Sequence, residues 1–333
     1  GGTAPMRPLA PASQEAQLKG AYYAGHWRLP EAVAAFEAAI AADSANAAAH
    51  AGLARAHYFL AFFGEKAPAE SFSRMRRAAE AALRHDPRSA EAHGLLAYVD
   101  MYDWDWKGAE EHFREALALA PANAQVHHDR AHFLLALGRQ EESKLETARA
   151  LALDPANPML TSCVGWHSLF DDSFEQAAEY ARESQRMMPG FWGQVVLGWS
   201  FVGRGQHDSA VAALRTAREL SKDLPFVRAA LAHALARSGK SAEARTLLKG
   251  LLAESLRDYV SAYDIAVVYA GLGENAKAIE WLRKAIGERS VFVVHLAWDA
   301  RLDPLRGDPA FGALVAELGI PPGHRQQVTR DAA

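Results

Sequence analysis

Prolines recur along this chain at a fixed interval of 34 residues. Pro87, Pro121, Pro155 and Pro189 follow one another at that spacing, and each closes a similar phrase, such as Leu153-Asp154-Pro155. A period of roughly 20 to 50 residues is the signature of a repeat protein, in which each unit stacks on its neighbours. The spacing therefore predicts a linear array of equal units in place of one large globular core.

Small residues form a second series in step with the first. The series runs Gly20, Ala54, Ala97, Ala131, Gly165, Gly198, Ala232 and Ala266, with one longer interval of 43 residues between Ala54 and Ala97. A glycine or alanine inside a helix allows a partner helix to approach closely, although glycine costs about 1 kcal/mol relative to alanine. We expect these positions to mark where paired helices touch, and we place the extra residues of the long interval near residues 62–70.

The secondary structure is expected to be helical almost throughout. Between Asp105 and Pro121, apolar residues recur at three- and four-residue steps, which is the period of one helical face. Asp105 can cap that helix and Pro121 can end it. Glycines at Gly138, Gly205, Gly239 and Gly273 are expected to take left-handed conformations in the turns. No segment alternates with the two-residue period of a strand over a useful length.

The repeated positions fit a known family pattern, W-x2-L-G-x2-Y, then A-x3-F, then P. The fit is carried by Gly20, Tyr23, Ala32 and Phe36, by Leu96, Ala97, Ala109, Phe113 and Pro121, and by Ile265, Ala266, Tyr269, Ala278 and Leu282. On these residues the chain resembles the tetratricopeptide repeat family. The resemblance implies an all-α, right-handed superhelix (an α-solenoid) of about eight helix–turn–helix repeats.

The expected organisation has four parts. Residues 1–12 are predicted to be disordered, residues 13–292 to form the array, residues 293–319 to form a C-terminal capping segment, and residues 320–333 to be a flexible tail. The residues near 62–70 are expected to lengthen a helix and add a loop, as a surface insertion or as a lip over the groove. Because the chain opens without a methionine, we expect a fragment or a processed chain.

Two phrases extend the resemblance. The residues 102–106 (Tyr-Asp-Trp-Asp-Trp) and 302–311 (Leu-Asp-Pro-Leu-Arg-Gly-Asp-Pro-Ala-Phe) are similar to those of bacterial tetratricopeptide arrays that follow a Ser/Thr kinase, an adenylate cyclase or a winged-helix DNA-binding domain. No such catalytic or DNA-binding domain occurs in this sequence. The resemblance implies the sensory or interaction module of a bacterial regulator.

One face of the predicted inner helices is rich in aromatic residues. In the family that the chain resembles, this face lines the concave groove, and binding surfaces favour aromatic and arginine anchors. The predicted groove residues are Arg55, Tyr58, Phe59, Tyr98, Tyr102, His128, His132, Trp166, Phe170, Trp192, Trp199, His233 and Tyr263. They predict an extended or helical protein segment as ligand. Packing between neighbouring helices remains the alternative for each single residue.

Other classes of function have little support. A net charge of −4, spread without long runs, argues against direct nucleic-acid binding. No stretch reaches the roughly 20 apolar residues of a membrane span. The single Cys163 cannot form an internal disulfide, which fits a reducing compartment, and we expect a cytoplasmic location.

Catalysis, metals and cofactors are not expected. His128 and His132 lie four residues apart on one helix, but no cysteine cluster completes a zinc site. Cys163 and His167 share that spacing and form only a weak nucleophile–base signal. No phosphate-binding glycine loop occurs. We therefore expect a chain that is not an enzyme.

Two functions remain open. The first is a non-catalytic scaffold that binds a protein or peptide in the groove. The second is the small-molecule-sensing arm of a transcriptional regulator, kinase or cyclase. An open channel would favour the first, and a deep pocket closed by residues 62–68 would favour the second. The identity of the partner and the oligomeric state are not fixed by the sequence.

Overall fold

The computed structural model describes residues 8–319, and over those residues it contains helices and turns but no strands. Sixteen of the helices pair in chain order into eight units. The units are α1 (Pro11–Gly25) with α2 (Leu29–Ala42), α3 (Ala47–Phe62) with α4 (Pro68–His85), α5 (Ala90–Tyr102) with α6 (Trp106–Leu119), α7 (Ala124–Ala136) with α8 (Gln140–Leu153), α9 (Pro158–Ser168) with α10 (Phe174–Met187), α11 (Phe191–Gly203) with α12 (His207–Leu220), α13 (Pro225–Arg237) with α14 (Ser241–Glu254), and α15 (Ala262–Gly271) with α16 (Asn275–Gly287). The predicted all-α array of eight repeats is confirmed.

Helix ends follow the predicted chemistry. Asp105 caps α6, because its side chain accepts a hydrogen bond from the backbone N–H of Gly108 at 3.0 Å. Each turn inside a repeat contains one residue with positive φ. The eight residues are Trp27, Gly64, Trp104, Gly138, Asp172, Gly205, Gly239 and Gly273. The prediction for the four later glycines is confirmed. Trp27, Trp104 and Asp172 also have positive φ, although a side chain makes this conformation less favourable for them than for glycine.

The small residues stand where helices approach most closely. A Cβ built on Gly198 would lie 2.5 Å from Leu214 Cγ, and one built on Gly165 would lie 3.0 Å from the Ala177 carbonyl oxygen. A methyl group cannot fit at such distances unless its neighbours move. The column of small residues therefore sets the spacing inside each repeat, as expected.

The second repeat is longer than the others, but its extra residues do not form a surface insertion or a lip. Helix α3 has 16 residues, and Phe62 and Phe63 at its C-terminal end are buried. The ring of Phe62 lies 5.9 Å from that of Trp166, and the ring of Phe63 lies 5.2 Å from that of Phe191. These contacts join repeat two to repeats five and six across the inside of the superhelix.

Both ends of the array differ from the expectation. Helix α1 begins at Pro11, so the last two residues of the segment predicted to be disordered are helical. Residues 1–7 and the predicted tail, residues 320–333, lie outside the described residues. Within residues 8–319, no helix combines the length and apolar composition that crossing a bilayer requires.

The C-terminal part has two roles. Helix α17 (Pro309–Glu317) packs against α16, so the predicted capping helix is confirmed. Two 3-10 helices precede it, Val291–His295 and Ala300–Leu305. Residues 291–305, which we call the inner segment, contact α3, α5, α7 and α15. This segment was expected to cap the end of the array, and it lies instead on the concave side.

Candidate functional site

The concave face is built from the first helix of each repeat, and the structure brings most of the predicted groove residues together there. The rings of Tyr58 and Tyr98 stack at 4.7 Å between centroids, and the ring of His132 lies 5.5 Å from that of Tyr98. The ring of Trp166 follows at 4.9 Å from His132. Trp192 continues the series at 6.3 Å from Trp166. Side chains from α3 to α11 thus form one continuous aromatic column.

The inner segment lies against this column. The ring of Phe292 packs at 6.2 Å from both Trp166 and Trp199, and at 6.0 Å from Tyr263. The His295 ring lies 5.1 Å from Trp166. The predicted groove is therefore occupied by another part of the same chain, which contains two short 3-10 helices.

The occupied groove corrects the expectation that the aromatic side chains face solvent. Eleven of the thirteen predicted residues are buried, and Arg55 and Phe59 are the two that are partly exposed. Tyr98 and Trp166 are each only 1% exposed. Because both rings are buried, truncating either of them is expected to destabilise the fold. The cause of this burial is a superhelix wound so tightly that distant repeats meet, with the inner segment filling the remaining space.

Arg55 is held by partners inside the chain. Its guanidinium donates to Asp129 Oδ2 at 3.1 Å and to Glu91 Oε1 at 3.0 Å, which ties α3 to α5 and α7. Asp129 also accepts a hydrogen bond from the Tyr98 hydroxyl at 3.1 Å. Burial raises the pKa of Asp129, but the charges of Arg55 and His128 outweigh burial and hold it well below its usual range. Sequence reasoning did not identify Asp129 as a member of this network.

The histidines of the concave face form a cluster. The rings of His128 and His167 stack at 5.3 Å, and His132 Nε2 lies 3.3 Å from His295 Nε2 on the inner segment. Burial lowers the pKa of His132 and His167, and that of His295 to about 3. His128 differs, because hydrogen bonds to Asp129 and Cys163 outweigh burial and raise its pKa to about 9.

No metal site emerges from this cluster. The described residues contain no group of three histidine, cysteine or acidic side chains that could hold a metal ion. The four-residue spacing of His128 and His132 therefore places them side by side without completing a coordination shell.

A cavity of about 440 Å³ opens where the inner segment meets the concave face. On its segment side, the guanidinium of Arg301 lies 4.1 Å above the Trp199 ring and donates to Asp299 at 2.6 Å. On the other side lie Phe170, Trp199 and His233, three of the predicted residues. Sequence reasoning missed Asp299 and Arg301, although they are charged residues that directly follow the apolar residues 296–298.

Comparisons with known proteins agree with this architecture. The tetratricopeptide repeat family model matches residues 229–290. The type IV pilus assembly protein PilF of Pseudomonas aeruginosa is 30% identical over 189 residues, which cover 55% of this chain and 68% of that protein.

Two solved structures share the fold at low sequence identity. The human IFIT1 dimer with m7Gppp-AAAA is 15% identical, with a TM-score of 0.56, over 98% of this chain and 91% of that one. A tetratricopeptide repeat protein from Parabacteroides merdae is 14% identical, with a TM-score of 0.52, over 81% of this chain and 98% of that one. At such identities the likeness concerns the fold alone.

Proposed function

Because this chain belongs to the tetratricopeptide repeat family, we propose that it is a non-catalytic scaffold whose concave face binds a short, aromatic-rich segment of a partner protein. Proteins with this repeat generally serve as scaffolds for protein interactions. The proposal adds the surface, the chemistry of the ligand and the way in which the surface becomes available.

One observation carries the proposal: the concave face already holds a segment of that kind. The inner segment is a short stretch of 3-10 turns. It inserts Phe292 among the rings of the array and buries Trp298 beside Gly138. The Trp298 indole N–H donates to the Ala136 carbonyl oxygen at 3.1 Å. A partner segment with two aromatic anchors at a similar spacing would find the same contacts.

Binding of a partner then requires the inner segment to leave. The segment is joined to α16 through residues 288–290, where Arg289 has a φ of 57°. Its guanidinium lies 3.6 Å from the Trp104 ring and donates to the Tyr102 carbonyl oxygen at 3.2 Å. The segment acts as an internal competitor, which lowers the apparent affinity for any partner by the fraction of molecules that are open.

The test adds the segment back as a separate molecule. The full chain is prepared with Phe292→Ala and Trp298→Ala, which weaken its own segment. A fluorescently labelled peptide of residues 289–306 is then titrated into this variant and into the unmodified chain. The variant should bind the peptide at least about tenfold more tightly, because its concave face is open more often.

Two controls give the experiment its meaning. The same peptide with Phe292 and Trp298 replaced by alanine should bind neither protein. Circular dichroism should show that the variant keeps its helices. If the folded variant does not bind the natural peptide, the concave face is ordinary core and the proposal fails.

The biological setting is the finer part of the proposal. Similarity of residues 102–106 and 302–311 to the arrays of bacterial regulators supports an interaction module of such a protein, acting in the cytoplasm. The name of the Pseudomonas aeruginosa relative supports pilus assembly instead. The genomic reading frame upstream of Gly1 decides between them, since a kinase, cyclase or winged-helix domain there is expected only for a regulator.

A small-molecule-sensing arm is the second candidate. The cavity between the concave face and the inner segment favours it, because both line a space large enough for a small ligand. Residues 62–68, which were expected to close such a pocket, do not line it.

A further inference from the structure

We infer that the cavity where the inner segment meets the concave face is a binding site for a small aromatic carboxylate. This inference deepens the second candidate function and rests on it. Residues of both parts line the space, among them Phe174, Arg237 and Val202 from the array and Asp299, Arg301 and Pro304 from the inner segment. Its volume of about 440 Å³ lies within the range of pockets that hold small ligands.

Charge pairing in the lining points to an anion. The carboxylate of Asp299 accepts hydrogen bonds from Arg301 and, at 2.9 Å, from the Tyr263 hydroxyl. The carboxylate of Asp303 accepts one from Arg306 at 2.6 Å. Asp299 and Asp303 thus both accept hydrogen bonds from side chains of the protein.

The two arginines of the lining can still bind an anion. Within the described range 8–319, Arg237 has no acidic oxygen within 4 Å, although its charge acts on Asp303 and His233. Arg301 uses Nε and Nη2 for Asp299, and its Nη1 makes no hydrogen bond to another described residue. Guanidinium groups bind carboxylates through paired, charge-assisted hydrogen bonds. A carboxylate on a ligand would accept hydrogen bonds from the guanidinium groups of these two arginines.

Two buried polar atoms in the wall lack partners. Trp199 Nε1 and His233 Nδ1 have no hydrogen-bond partner in the described structure, and their side chains are 5% and 1% exposed. Burial and the nearby charge of Arg301 lower the pKa of His233 to about 3, so the imidazole is neutral. Buried polar groups are nearly always hydrogen-bonded. Nine other buried side-chain atoms of the described residues also lack a partner, but Trp199 and His233 line the cavity, where a bound molecule would supply one.

The remaining wall favours an aromatic body on the ligand. Phe170, Phe174 and Leu169 also line the cavity, all from the array. Three aspartates line the cavity beside two arginines, so a singly charged anion is repelled less there than a doubly charged phosphate. A planar ring with a single carboxylate matches both the rings and the charges.

The site exists only while the inner segment is seated, because Asp299, Ala300, Arg301, Asp303 and Pro304 supply one side of it. A ligand held by both sides stabilises the closed state by mass action. Under the proposed function, it would therefore oppose the binding of a partner.

Calorimetric titration of the full chain tests the site directly. The probes are benzoate, phenylacetate, indole-3-acetate and 1-naphthylacetate. The uncharged amide 1-naphthylacetamide serves as the control for 1-naphthylacetate. At least one carboxylate should bind with a dissociation constant in the millimolar range or below, as expected for ligands of this size. The amide should bind at least tenfold more weakly than 1-naphthylacetate.

Variants locate the binding. Arg237→Met should weaken it at least tenfold, whereas Arg283→Met, on the exposed face of α16, should leave it unchanged. Val202→Trp fills the space without changing any charge and should abolish binding while the helical content is retained. The inference is overturned if no carboxylate binds, or if binding is indifferent to both Arg237→Met and Val202→Trp. The peptide titration uses different variants, so either proposal can fail alone.

Discussion

The indole ring of Trp298 occupies the space beside Gly138. A Cβ built on Gly138 would come within 2.0 Å of Trp298 Cζ2, and the indole N–H bonds to the carbonyl oxygen of Ala136 two residues earlier. The turn of repeat four therefore fits the inner segment closely, and a glycine that the repeat needs for its turn also provides the place for the indole.

Gly138→Ala should be more destabilising than the same change in a matching turn. Gly138 has a φ of 70° and Gly239 one of 80°, so alanine costs about 1 to 2 kcal/mol at either position. Nothing lies within 4 Å of a Cβ on Gly239. Displacement of Trp298 should add about 1 to 3 kcal/mol at Gly138 alone. Urea unfolding of both variants measures the difference, and equal losses would show that Trp298 is elsewhere in solution.

Truncation of the aromatic column should destabilise the fold. Tyr98→Ala and Trp166→Ala each remove a side chain that is 1% exposed, so each should lower the free energy of unfolding by about 3 to 5 kcal/mol. Leu256 is 86% exposed, and Leu256→Ala should change the free energy by less than about 0.5 kcal/mol. Denaturant melts compare the three variants. A Trp166→Ala chain as stable as the Leu256→Ala chain would mean that the interior is open.

Repetition made the helix pairs predictable, and it did not make the interior predictable. Neighbouring repeats touch at the same positions each time, so Gly165 and Gly198 carry a signal that recurs every repeat. The contact between Phe63 and Phe191 depends on how the small rotations of successive repeats add up. The inner segment has no repeat of its own, so the sequence offered nothing to place it inside.

The same distinction applies to the site. Helical spacing correctly assigned Tyr98, His132 and Trp166 to one face, because the residues of a face follow from local geometry. Whether those side chains are exposed to solvent depends on what packs against that face. Here it is the inner segment, which is distant from them in the sequence. Asp299 and Arg301 belong to that segment and were missed for the same reason.

Acid should destabilise the protein below about pH 6.5. The folded chain holds His132, His167 and His295 neutral, with pKa values lowered by burial, and His233 likewise. Because the unfolded chain binds protons at these sites first, each histidine lowers the free energy of unfolding by up to about 1.4 kcal/mol per pH unit as the pH falls from about 6.5 towards the folded pKa.

One carboxyl group has the opposite effect on how stability changes with pH. Burial raises the pKa of Asp264 to about 7, so the folded chain holds a proton there that the unfolded chain releases above its ordinary pKa. Its contribution to stability is present at low pH and is lost as the pH rises through about 7. The contribution of Asp264 to the pH dependence of stability cancels that of about one histidine. The free energy of unfolding therefore still falls as the pH is lowered.

Removing one histidine should reduce this acid sensitivity. In His295→Gln, the slope of the free energy of unfolding against pH, measured by urea melts between pH 5.0 and 6.5, should fall by about 1.4 kcal/mol per pH unit. An unchanged slope would mean that His295 is not held neutral beside His132 in the folded chain.

Hydrogen–deuterium exchange of residues 291–305 in the full chain tests the central claim most directly. Without an added ligand, the amides of this segment should exchange slowly, since the segment is buried on the concave face. A saturating amount of the peptide of residues 289–306 should make the same amides of the chain exchange fast, because the peptide takes their place. Fast exchange without the peptide, or continued protection with the peptide bound, would contradict a segment that occupies the groove and gives way to a partner.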